Sequence, residues 1–561
     1  MKKKILTLSA LGTIVVPLIT SVSCTFNIQN DNNEHLERKM LNFSYWVDKD
    51  KQSEYKIYNS KIETFFDKDK IIPYINISSG INMLNGLLDS DSYTSSRVLF
   101  DNKIKYKSPY GSIVVDWKEN TIKVNDISYF RYTQRGSTNY MKLLKTIGYD
   151  EFKLENKEVV FDLDKYGFDI KNYRGRVLIP FHVFNLLFGS QNYYNVYFDG
   201  NEYRGVETVV NSHWKNNWTN KLPTKSERLY SYNFLRFVFD YFYGLKEQKD
   251  IEDIDAYWNQ NIISKITNTD KNIFMDGYSD FIYGELNELH TSLISNSFYH
   301  NANTFINPQL RLKSTKFKSY KNRLNELKNI WSEETNHYLT KLNKWLRIKH
   351  DMLVIKMDSF ETNEDVVNIS DNIDPSSFDS YTWLKTGISA VIESHPNIKK
   401  IVLDLSQNGG GSVAAMYRTL GLITDKPIVD YDYNNLTKIM NRITLLVNSS
   451  EKDIPFTKYK WFVLTGENTF SAANSFTAIF KQMKLGKVIG QKTGGGMCSL
   501  LYVTLPDGVS LGMSSPNCSN IYDEANGIYI PIENGIKPDI KIKYEDFYDL
   551  DYIYSITDIE N

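Results

Sequence analysis

Ser471, in the stretch TFSAANSF, is the residue of this sequence best placed to act as a nucleophile. It follows the apolar run KWFVLTG by a short turn and precedes the helical pattern of TAIFKQM. A serine between a strand and a helix is typical of a nucleophile elbow, in which a tight turn exposes the hydroxyl. Ala472 is small enough to let a substrate approach, and the helix dipole favours negative charge there. The alternative is that Ser471 only caps the helix.

A glycine-rich turn in DLSQNGGGS follows another buried strand and is the second candidate. Successive glycines free backbone N–H groups to face a ligand, and such donors stabilise an oxyanion or a phosphate. The sequence does not continue with the G-K-[ST] of a phosphate-binding loop. From the residues alone, a plain glycine turn is an equal alternative.

Two titratable residues complete the set of candidates. His290, in GELNELHTSL, lies near the end of a predicted helix, and Glu533, in PIENGIKPD, lies beside a turn. An imidazole can accept the proton of a serine hydroxyl, and a carboxylate can orient that imidazole and stabilise its cationic form. The alternatives are a structural histidine and a solvated surface charge.

The segments GELNELHTSL, IVLDLSQNGGGS, TFSAANSF, VIGQKTGGG and IENGIKPDI occur in an order that resembles one family of enzymes. It is the C-terminal processing (tail-specific) serine peptidases, and more closely their tricorn-like branch. The resemblance covers roughly residues 226–545. The glycine-rich strand end and the Ser-Ala-Ala segment are its most specific parts.

The resemblance implies a role for each candidate residue. The catalytic residues that it implies are the nucleophile Ser471, the base His290 and, as the group that orients the base, Glu533. The oxyanion hole that it implies consists of the backbone N–H groups of Gly409, Gly410 and Ala472. These groups come from distant segments, so the fold has to bring them together.

The sequence departs from the family pattern at several points. Asn474 stands where the nucleophile segment usually has an acid. The other branch of the family pairs its serine with a lysine, but Gly496 stands near the position of that lysine. We therefore reject a Ser–Lys dyad. Lys492 in GQKTGGG is a remote substitute for the missing lysine. No PDZ-like peptide-binding segment is recognisable between His290 and Asp351, where charged helices are predicted instead.

The elements that must position these residues alternate between strand and helix from residue 346 onward. DMLVIKMDSF and KKIVLDL are predicted strands, and SYTWLKTGISAVIESH and SVAAMYRTLGLI are predicted helices. This alternation indicates a mostly parallel sheet covered by helices on both faces, with chemistry at the carboxyl ends of the strands. The predicted fold class is an α/β catalytic core with a preceding helical region and a β-rich N-terminal α+β domain.

The chain divides into predicted domains at shifts in composition. The predicted units are a signal peptide at 1–23, a tether at 24–45, a β-rich N-terminal domain at 46–210, a helical region that supplies His290 at 226–345, and a serine peptidase core at 346–548. A polar stretch at 206–225 is a candidate linker. We therefore expect the N-terminal domain to fold separately, and we assign it no chemistry.

The N-terminus resembles a bacterial lipoprotein signal. MKKK is a basic segment, and an apolar run follows it that is too short to span a bilayer comfortably. The signal ends in SVSC, so Cys24 is the expected site of lipidation, and the polar residues after it are the expected tether. An ordinary secretory signal is the alternative. We expect a mature protein held by lipid at the extracellular face of the cell membrane.

Composition bounds the classes of function. With 41 % apolar and 24 % charged residues the chain is globular, and a formal net charge of −1 provides no field that attracts nucleic acid. No spacing of Cys and His suits a metal site, and we expect no cofactor. Cys498 and Cys518 are equidistant from Gly508 in a predicted hairpin, so they either form a disulfide or pack as reduced thiols.

The favoured function is a lipid-anchored extracellular serine endopeptidase that hydrolyses peptides or unfolded proteins. One alternative is a catalytically degenerate peptidase scaffold that binds a peptide or a small ligand. Another is a surface interaction protein. The joint presence of the serine, histidine, glutamate and glycine segments favours the enzyme.

Overall fold

A computed structural model describes residues 36–45, 55–68, 71–97, 102–131, 144–153, 158–209, 221–301, 305–366, 368–447 and 456–558. Helices and several sheets alternate within these ranges, which confirms the prediction of a mixed α/β chain. The signal peptide, Cys24 and most of the candidate linker lie outside the described residues.

The bounds of the elements follow in chain order. The strands of the N-terminal half are β1 Glu37–Tyr45, β2 Ser60–Phe66, β3 Pro73–Asn76, β4 Thr94–Arg97, β5 Lys103–Ser108, β6 Gly111–Asp116, β7 Thr121–Val124, β8 Leu144–Lys153, β9 Val159–Asp162, β10 Lys171–Tyr173, β11 Arg176–Pro180, β12 Tyr194–Phe198 and β13 Tyr203–Glu207. The strands that follow are β14 Ser292–Ser295, β15 Leu346–Lys349, β16 Met352–Lys356, β17 Lys400–Asp404, β18 Ile428–Asn434, β19 Ile439–Val447, β20 Lys460–Thr465, β21 Lys487–Gly490, β22 Cys498–Thr504, β23 Ser510–Asp523, β24 Ile528–Pro531 and β25 Ile540–Lys541. The α-helices are α1 Ile77–Met83, α2 Phe181–Phe184, α3 Lys225–Phe242, α4 Ile254–Tyr257, α5 Gln260–Ile266, α6 Lys271–Ser279, α7 Thr315–Thr335, α8 Lys341–Trp345, α9 Ser380–Ser394, α10 Val413–Leu420, α11 Ala472–Gln482 and α12 Leu550–Asp558.

A six-stranded sheet in the order β15-β16-β17-β20-β21-β25 forms the centre of the C-terminal half. All its pairings are parallel except that of the edge strand β15. Side chains alternate across it: Leu353 and Ile355 join the core cluster on the face of α9, α10 and α11, whereas Val354 packs on the opposite face with α7 and α12. Burial on both faces explains why these strands appear in the sequence as continuous apolar runs.

A second, antiparallel sheet stands beside the parallel one, and β22 and β23 form its long hairpin. Cys498 and Cys518 lie opposite each other in this hairpin and are joined by a disulfide. Its edge strand β8 comes from the N-terminal half and pairs with β19 along its whole length. The N-terminal half therefore contributes a strand to the sheet next to the catalytic core.

The first strand corrects the predicted tether. Residues 37–45 form β1, which lies between β2 and β13 in a seven-stranded sheet. The polar run that indicated a flexible segment ends at Glu37 and Arg38, the first residues of this strand, and farther along it Leu41 and Phe43 face inward and the Phe43 side chain is buried. This period of two is that of a strand with one buried face. The ordered N-terminal part thus begins before residue 46.

The structure also contradicts the prediction that residues 46–210 fold separately. One continuous hydrophobic core contains side chains of the N-terminal strands, of α3 and α6, and of the β22–β23 hairpin. Polar contacts cross the same boundary, because Asn195 Nδ2 donates to the Tyr502 carbonyl at 3.1 Å and the Tyr197 hydroxyl lies 2.6 Å from Ser510 Oγ. The composition shift near residues 206–225 marks a change of secondary structure, but the hydrophobic core continues across this boundary.

A buried ion pair reinforces this shared core. The Arg228 guanidinium on α3 is fully buried and donates to Asp507 at the tip of the β22–β23 hairpin, and also to the Ile266 carbonyl at 2.7 Å. The Tyr278 hydroxyl donates to the same carboxylate at 2.8 Å. Removing either charge would leave the other buried without a partner, which typically costs about 3–5 kcal/mol.

No helix within the described ranges combines the length and the apolar character needed to cross a membrane.

We expect a chain shortened to residues 221–561 to lose cooperative folding, because it lacks β8 and the N-terminal half of the shared core. Thermal unfolding followed by circular dichroism should show a broad, non-cooperative transition, or the protein should aggregate. A chain that starts at residue 36 is the control and should unfold in a single sharp transition. A sharp transition for the 221–561 chain would show that the catalytic half folds alone.

Candidate active site

Ser471 stands between β20 and α11 in a backbone conformation that is rare for a residue with a side chain. Its φ is 55° and its ψ is −124°, and its hydroxyl makes no hydrogen bond that caps α11. Its N–H donates to the Gly495 carbonyl at 2.9 Å. An N-cap serine has an extended backbone and uses its side-chain oxygen on the helix, so the capping interpretation does not fit Ser471. The geometry is that of a nucleophile elbow.

The glycine turn after β17 lies against Ser471. Gly410 has a φ of +108°, and a Cβ at this position would lie 2.7 Å from Ser471 Cβ and 2.9 Å from the Phe470 carbonyl oxygen. Only glycine fits that backbone conformation and that spacing without strain. The close approach to Ser471 itself requires a glycine at this position. A turn that offers N–H groups to a ligand and a plain glycine turn are therefore compatible interpretations of the same residues.

The three predicted oxyanion donors differ in their surroundings. The Gly410 N–H donates to Asn408 Oδ1 at 2.9 Å, so it is already engaged. Within the described part of the chain, the N–H groups of Gly409 and Ala472 have no hydrogen-bond acceptor. Ala472 is the first residue of α11, where the backbone N–H groups of a helix have no intrahelical partner. These two donors remain available to a ligand.

His290 lies just beyond the end of a helix, close to the helix end at which its sequence context places it. The helix α6 continues as a π-helical turn over Asp280–Leu286 and ends at Asn287, which has a positive φ of 44°. His290 follows in a turn just before β14. Its ring packs against Phe470, the residue before the nucleophile, with 4.7 Å between ring centroids.

The polar environment of His290 is sparse. Its Nε2 atom is buried and has no hydrogen-bond partner among the described residues. Burial lowers the pKa of the imidazole below its usual value of 6.5, and the negative charge of Glu288 acts in the opposite direction. Among the described residues, no hydrogen bond joins His290 to Ser471 or to Glu533. The ring is therefore neutral near pH 7 and has a free nitrogen.

Glu533 lies in the turn after β24, and its carboxylate faces the segment that also holds the nucleophile. Its Oε2 accepts the Met497 N–H at 2.9 Å. The Glu533 carbonyl oxygen would lie only 1.8 Å from a Cβ on Gly495, whose own carbonyl accepts the Ser471 N–H. Desolvation by burial raises the pKa of the Glu533 carboxyl to about 7, against the effect of the Met497 N–H. The glycine segment thus connects the acid to the serine.

Asn474, which departs from the family pattern, links the same elements. It is fully buried on α11, its Nδ2 donates to the Ile532 carbonyl at 3.0 Å, and its Oδ1 accepts the Thr493 hydroxyl at 2.6 Å. An ionised acid could not donate to Ile532, so the amide fits this pair of partners. Asn474 holds the turn of Glu533 against the helix of Ser471.

A cavity of about 560 Å³ opens beside Phe470 and Glu533. The helix α7 forms one wall, and its Tyr320 carbonyl accepts Asn468 Nδ2 at 2.8 Å. Lys492 is exposed and lines the opposite wall, and it makes no ion pair among the described residues. The described residues contain no cluster of His, Cys, Asp and Glu that could hold a metal ion.

The disulfide lies next to the residue that binds the Glu533 carboxylate. Cys498 follows Met497, whose N–H binds the Glu533 carboxylate, and Ser519, the residue after Cys518, donates its N–H to the Met497 carbonyl at 2.9 Å. A covalent link at this point fixes the strand that presents the Met497 N–H.

Sequence reasoning found the segments of the site but missed one of its acids. Glu288 is only 4 % exposed and lies two residues before His290. A carboxylate so close to a candidate base was the available signal, but its burial cannot be read from the pattern GELNELHTSL.

Comparisons with known proteins find a peptidase family in part of this chain. Residues 351–542 match the description Peptidase family S41. None of the curated proteins compared with this chain matches it significantly. Among solved structures, a candidate peptidase from Parabacteroides merdae is 19% identical over 59% of this chain and 96% of its own, with a TM-score of 0.43. Mature CPAF is 13% identical over 60% of this chain and 96% of its own, with a TM-score of 0.39.

Residues 351–542 are therefore a peptidase family S41 domain, which confirms the resemblance to tail-specific serine peptidases and the prediction of a serine-type peptidase. Ser471, Gly410 and Glu533 lie within the matched residues, whereas His290 precedes them.

We expect Gly410→Ala to lower peptide hydrolysis by about a hundredfold, because the added Cβ would displace Ser471 by a large fraction of an ångström or more. Rates of cleavage of an unstructured peptide would measure this. Gly284→Ala is the control, since a Cβ at Gly284 meets no atom within 4 Å. Wild-type hydrolysis by Gly410→Ala would contradict the close packing of the two segments.

Proposed function

We propose that this protein is a lipid-anchored extracellular serine endopeptidase that cleaves peptides or unfolded proteins with Ser471, His290 and Glu533. The observation that carries the proposal is the conformation of Ser471, held at φ 55° with its hydroxyl unused by the helix. Strain of this kind persists where the surroundings enforce it, and it clusters at active sites. The S41 domain supports peptide bonds as the substrate.

In the proposed mechanism, Ser471 Oγ attacks the carbonyl carbon of the scissile peptide bond while His290 accepts the hydroxyl proton. The buried and unpartnered Nε2 is the acceptor that the geometry favours. The imidazolium then protonates the leaving amine, and a water molecule hydrolyses the acyl-enzyme with the same base. The N–H groups of Gly409 and Ala472 stabilise the oxyanion, joined by Gly410 once substrate displaces its bond to Asn408.

The catalytic hydrogen bonds have to form when substrate binds. In the complex with substrate, Glu533 orients the ring and offsets its positive charge. Hydrogen bonds of this kind are often long in the absence of substrate and tighten in the reactive complex. The cavity lined by α7, Phe470 and Glu533 provides the space for a peptide chain next to the segment that carries Ser471, in the role that a PDZ-like segment would have.

The lipid anchor and the extracellular location rest on the N-terminal sequence and on the disulfide. MKKK, the apolar run and Cys24 have the order of a lipoprotein signal. A disulfide between Cys498 and Cys518 suits an oxidising compartment. Metabolic labelling with a fatty acid, with Cys24→Ser as the control, would test the anchor; labelling of that variant would overturn it.

A second candidate function is a peptide-binding scaffold without catalysis. It is favoured by one observation, namely that the described residues show no hydrogen bond between His290 and either Ser471 or Glu533. The same assays separate the two functions, because a scaffold would bind peptides without cleaving them and would not react with a serine-directed probe.

We expect Ser471→Ala and His290→Ala each to lower peptide turnover by several orders of magnitude, with little further loss in the double variant, because nucleophile and base act as a unit. Steady-state kinetics on purified protein and labelling of Ser471 by a fluorophosphonate probe would measure this. Lys492→Ala is the control and should keep most activity. Full activity of Ser471→Ala would overturn the assignment.

The pH dependence of kcat/KM should reflect the ionisation of Glu533. Lowering the pH protonates Glu533 near its pKa of about 7, before it protonates His290, whose pKa is lowered from 6.5 by burial. We therefore expect kcat/KM to fall as the pH drops through about 7. In Glu533→Gln, which has no such ionisation, the fall should move below 6.5. An unchanged profile in that variant would show that Glu533 does not govern the base.

A further inference from the structure

Glu288 is a buried acid that the proposed mechanism does not use. Its side chain is 4 % exposed and lies two residues before the base His290. Among the described residues, no lysine or arginine lies within ion-pair distance of its carboxylate. A buried carboxylate without a cation is costly unless hydrogen bonds stabilise it. Its contacts should therefore reveal what it does.

Four donors surround this carboxylate. Oε2 accepts the His290 N–H at 2.6 Å, and Oε1 accepts the Thr291 N–H at 2.8 Å, the Thr291 hydroxyl, and the Ser514 hydroxyl at 3.2 Å. The two N–H groups can only donate, so the contacts fit an ionised acid. The turn that carries His290 is thus wound around Glu288 and attached through Ser514 to the strand β23.

The charge of Glu288 also reaches the groups of the active site. It opposes the lowering of the His290 pKa that burial causes, while Arg311 acts in the same direction as burial. It is one of the causes that raise the pKa of Glu533, after burial itself. The other titratable groups that face this acid are Tyr243, whose buried hydroxyl has no partner among the described residues, and Lys249.

We propose that Glu288 is a positioning residue of the peptidase reaction: its carboxylate fixes the turn that presents His290 and supplies a negative charge that stabilises the imidazolium. The inference rests on the proposed function, because it takes His290 as the base. In this proposal Glu288 and Glu533 act on His290 from different sides of the sequence. Glu288 is attached to the backbone of the histidine turn, whereas Glu533 approaches from the turn after β24 and is held by Met497.

The first test is kinetic. Glu288→Gln keeps the size of the side chain and removes its charge, so kcat should fall by about tenfold or more and the acid limb of kcat/KM should move to lower pH. Glu288→Asp keeps the charge and should restore the acid limb toward its wild-type position. Glu285→Gln is the matched control, since that side chain is exposed and, among the described residues, its carboxylate accepts a hydrogen bond from Asn259 Nδ2 alone, at 3.0 Å.

The second test does not depend on turnover. In the Ser471→Ala background, the titration of His290 can be followed by NMR, with the signal assigned by its loss in His290→Ala. Adding Glu288→Gln should lower the pKa of His290, and adding Glu285→Gln should leave it unchanged. This separates the two proposals, because an inactive wild-type protein would overturn the peptidase mechanism while the titration still measured the influence of Glu288.

The outcomes decide the proposal. A lower kcat together with a shifted acid limb and a lowered His290 pKa supports it. A lower kcat with an unmoved acid limb and an unmoved His290 titration shows a purely structural acid and overturns it, as does wild-type behaviour in both tests. Should Glu288→Gln not fold, Glu288→Asp decides by the titration of His290: because this variant keeps the charge, a near-wild-type pKa of His290 supports the proposal, and a pKa lowered well below that of the wild type overturns it.

Discussion

The backbone of Ser471 imposes the constraint on which the rest of the site depends. A φ of 55° with a ψ of −124° costs a residue with a side chain roughly 1–3 kcal/mol, so its neighbours must hold it there. Three hydrogen bonds do so: the Ser471 N–H donates to Gly495, the Ser475 N–H donates to the Ser471 carbonyl, and the Phe470 N–H donates to the Asn408 carbonyl. These partners come from three different segments. A Cβ on Gly410 would meet Ser471 itself, and a Cβ on Gly496 would meet the ring of Phe470, so both positions require glycine.

The carboxylates of this site are stabilised by backbone N–H donors more than by ion pairs. Glu288 is buried and Glu533 is half-buried, and each accepts a backbone N–H at close range, Glu533 from Met497 and Glu288 from His290. Backbone donors cannot rotate away or change their protonation, so they place a carboxylate more firmly than a lysine would. The turn of His290 is thus built around one anchored acid, Glu288, and low polarity in such a buried site strengthens every charge that appears there.

The sequence was informative wherever function or structure follows from local pattern. Apolar strands that end in small residues located Ser471 and Gly410, and the symmetric spacing around Gly508 located the hairpin of Cys498 and Cys518. It failed where long-range packing decides. The position of His290 depends on a π-helical turn that ends at Asn287, and the N-terminal half joins the catalytic core through contacts such as Asn195 to Tyr502, which are 307 residues apart. The burial of an acid is equally invisible in a single sequence.

The β22–β23 hairpin explains why the N-terminal half belongs to the catalytic structure. At its tip, Asp507 binds the buried Arg228 of α3, and along its length Tyr502 and Ser510 contact the N-terminal sheet. At its base, the disulfide fixes the strand whose Met497 N–H holds Glu533, and Ser514 in the same hairpin holds Glu288. The two acids that we propose to act on His290 are thus both attached to this hairpin or to the residue that precedes it. Because the N-terminal half holds that hairpin in place, it supports the geometry of the active site without contributing a catalytic group of its own.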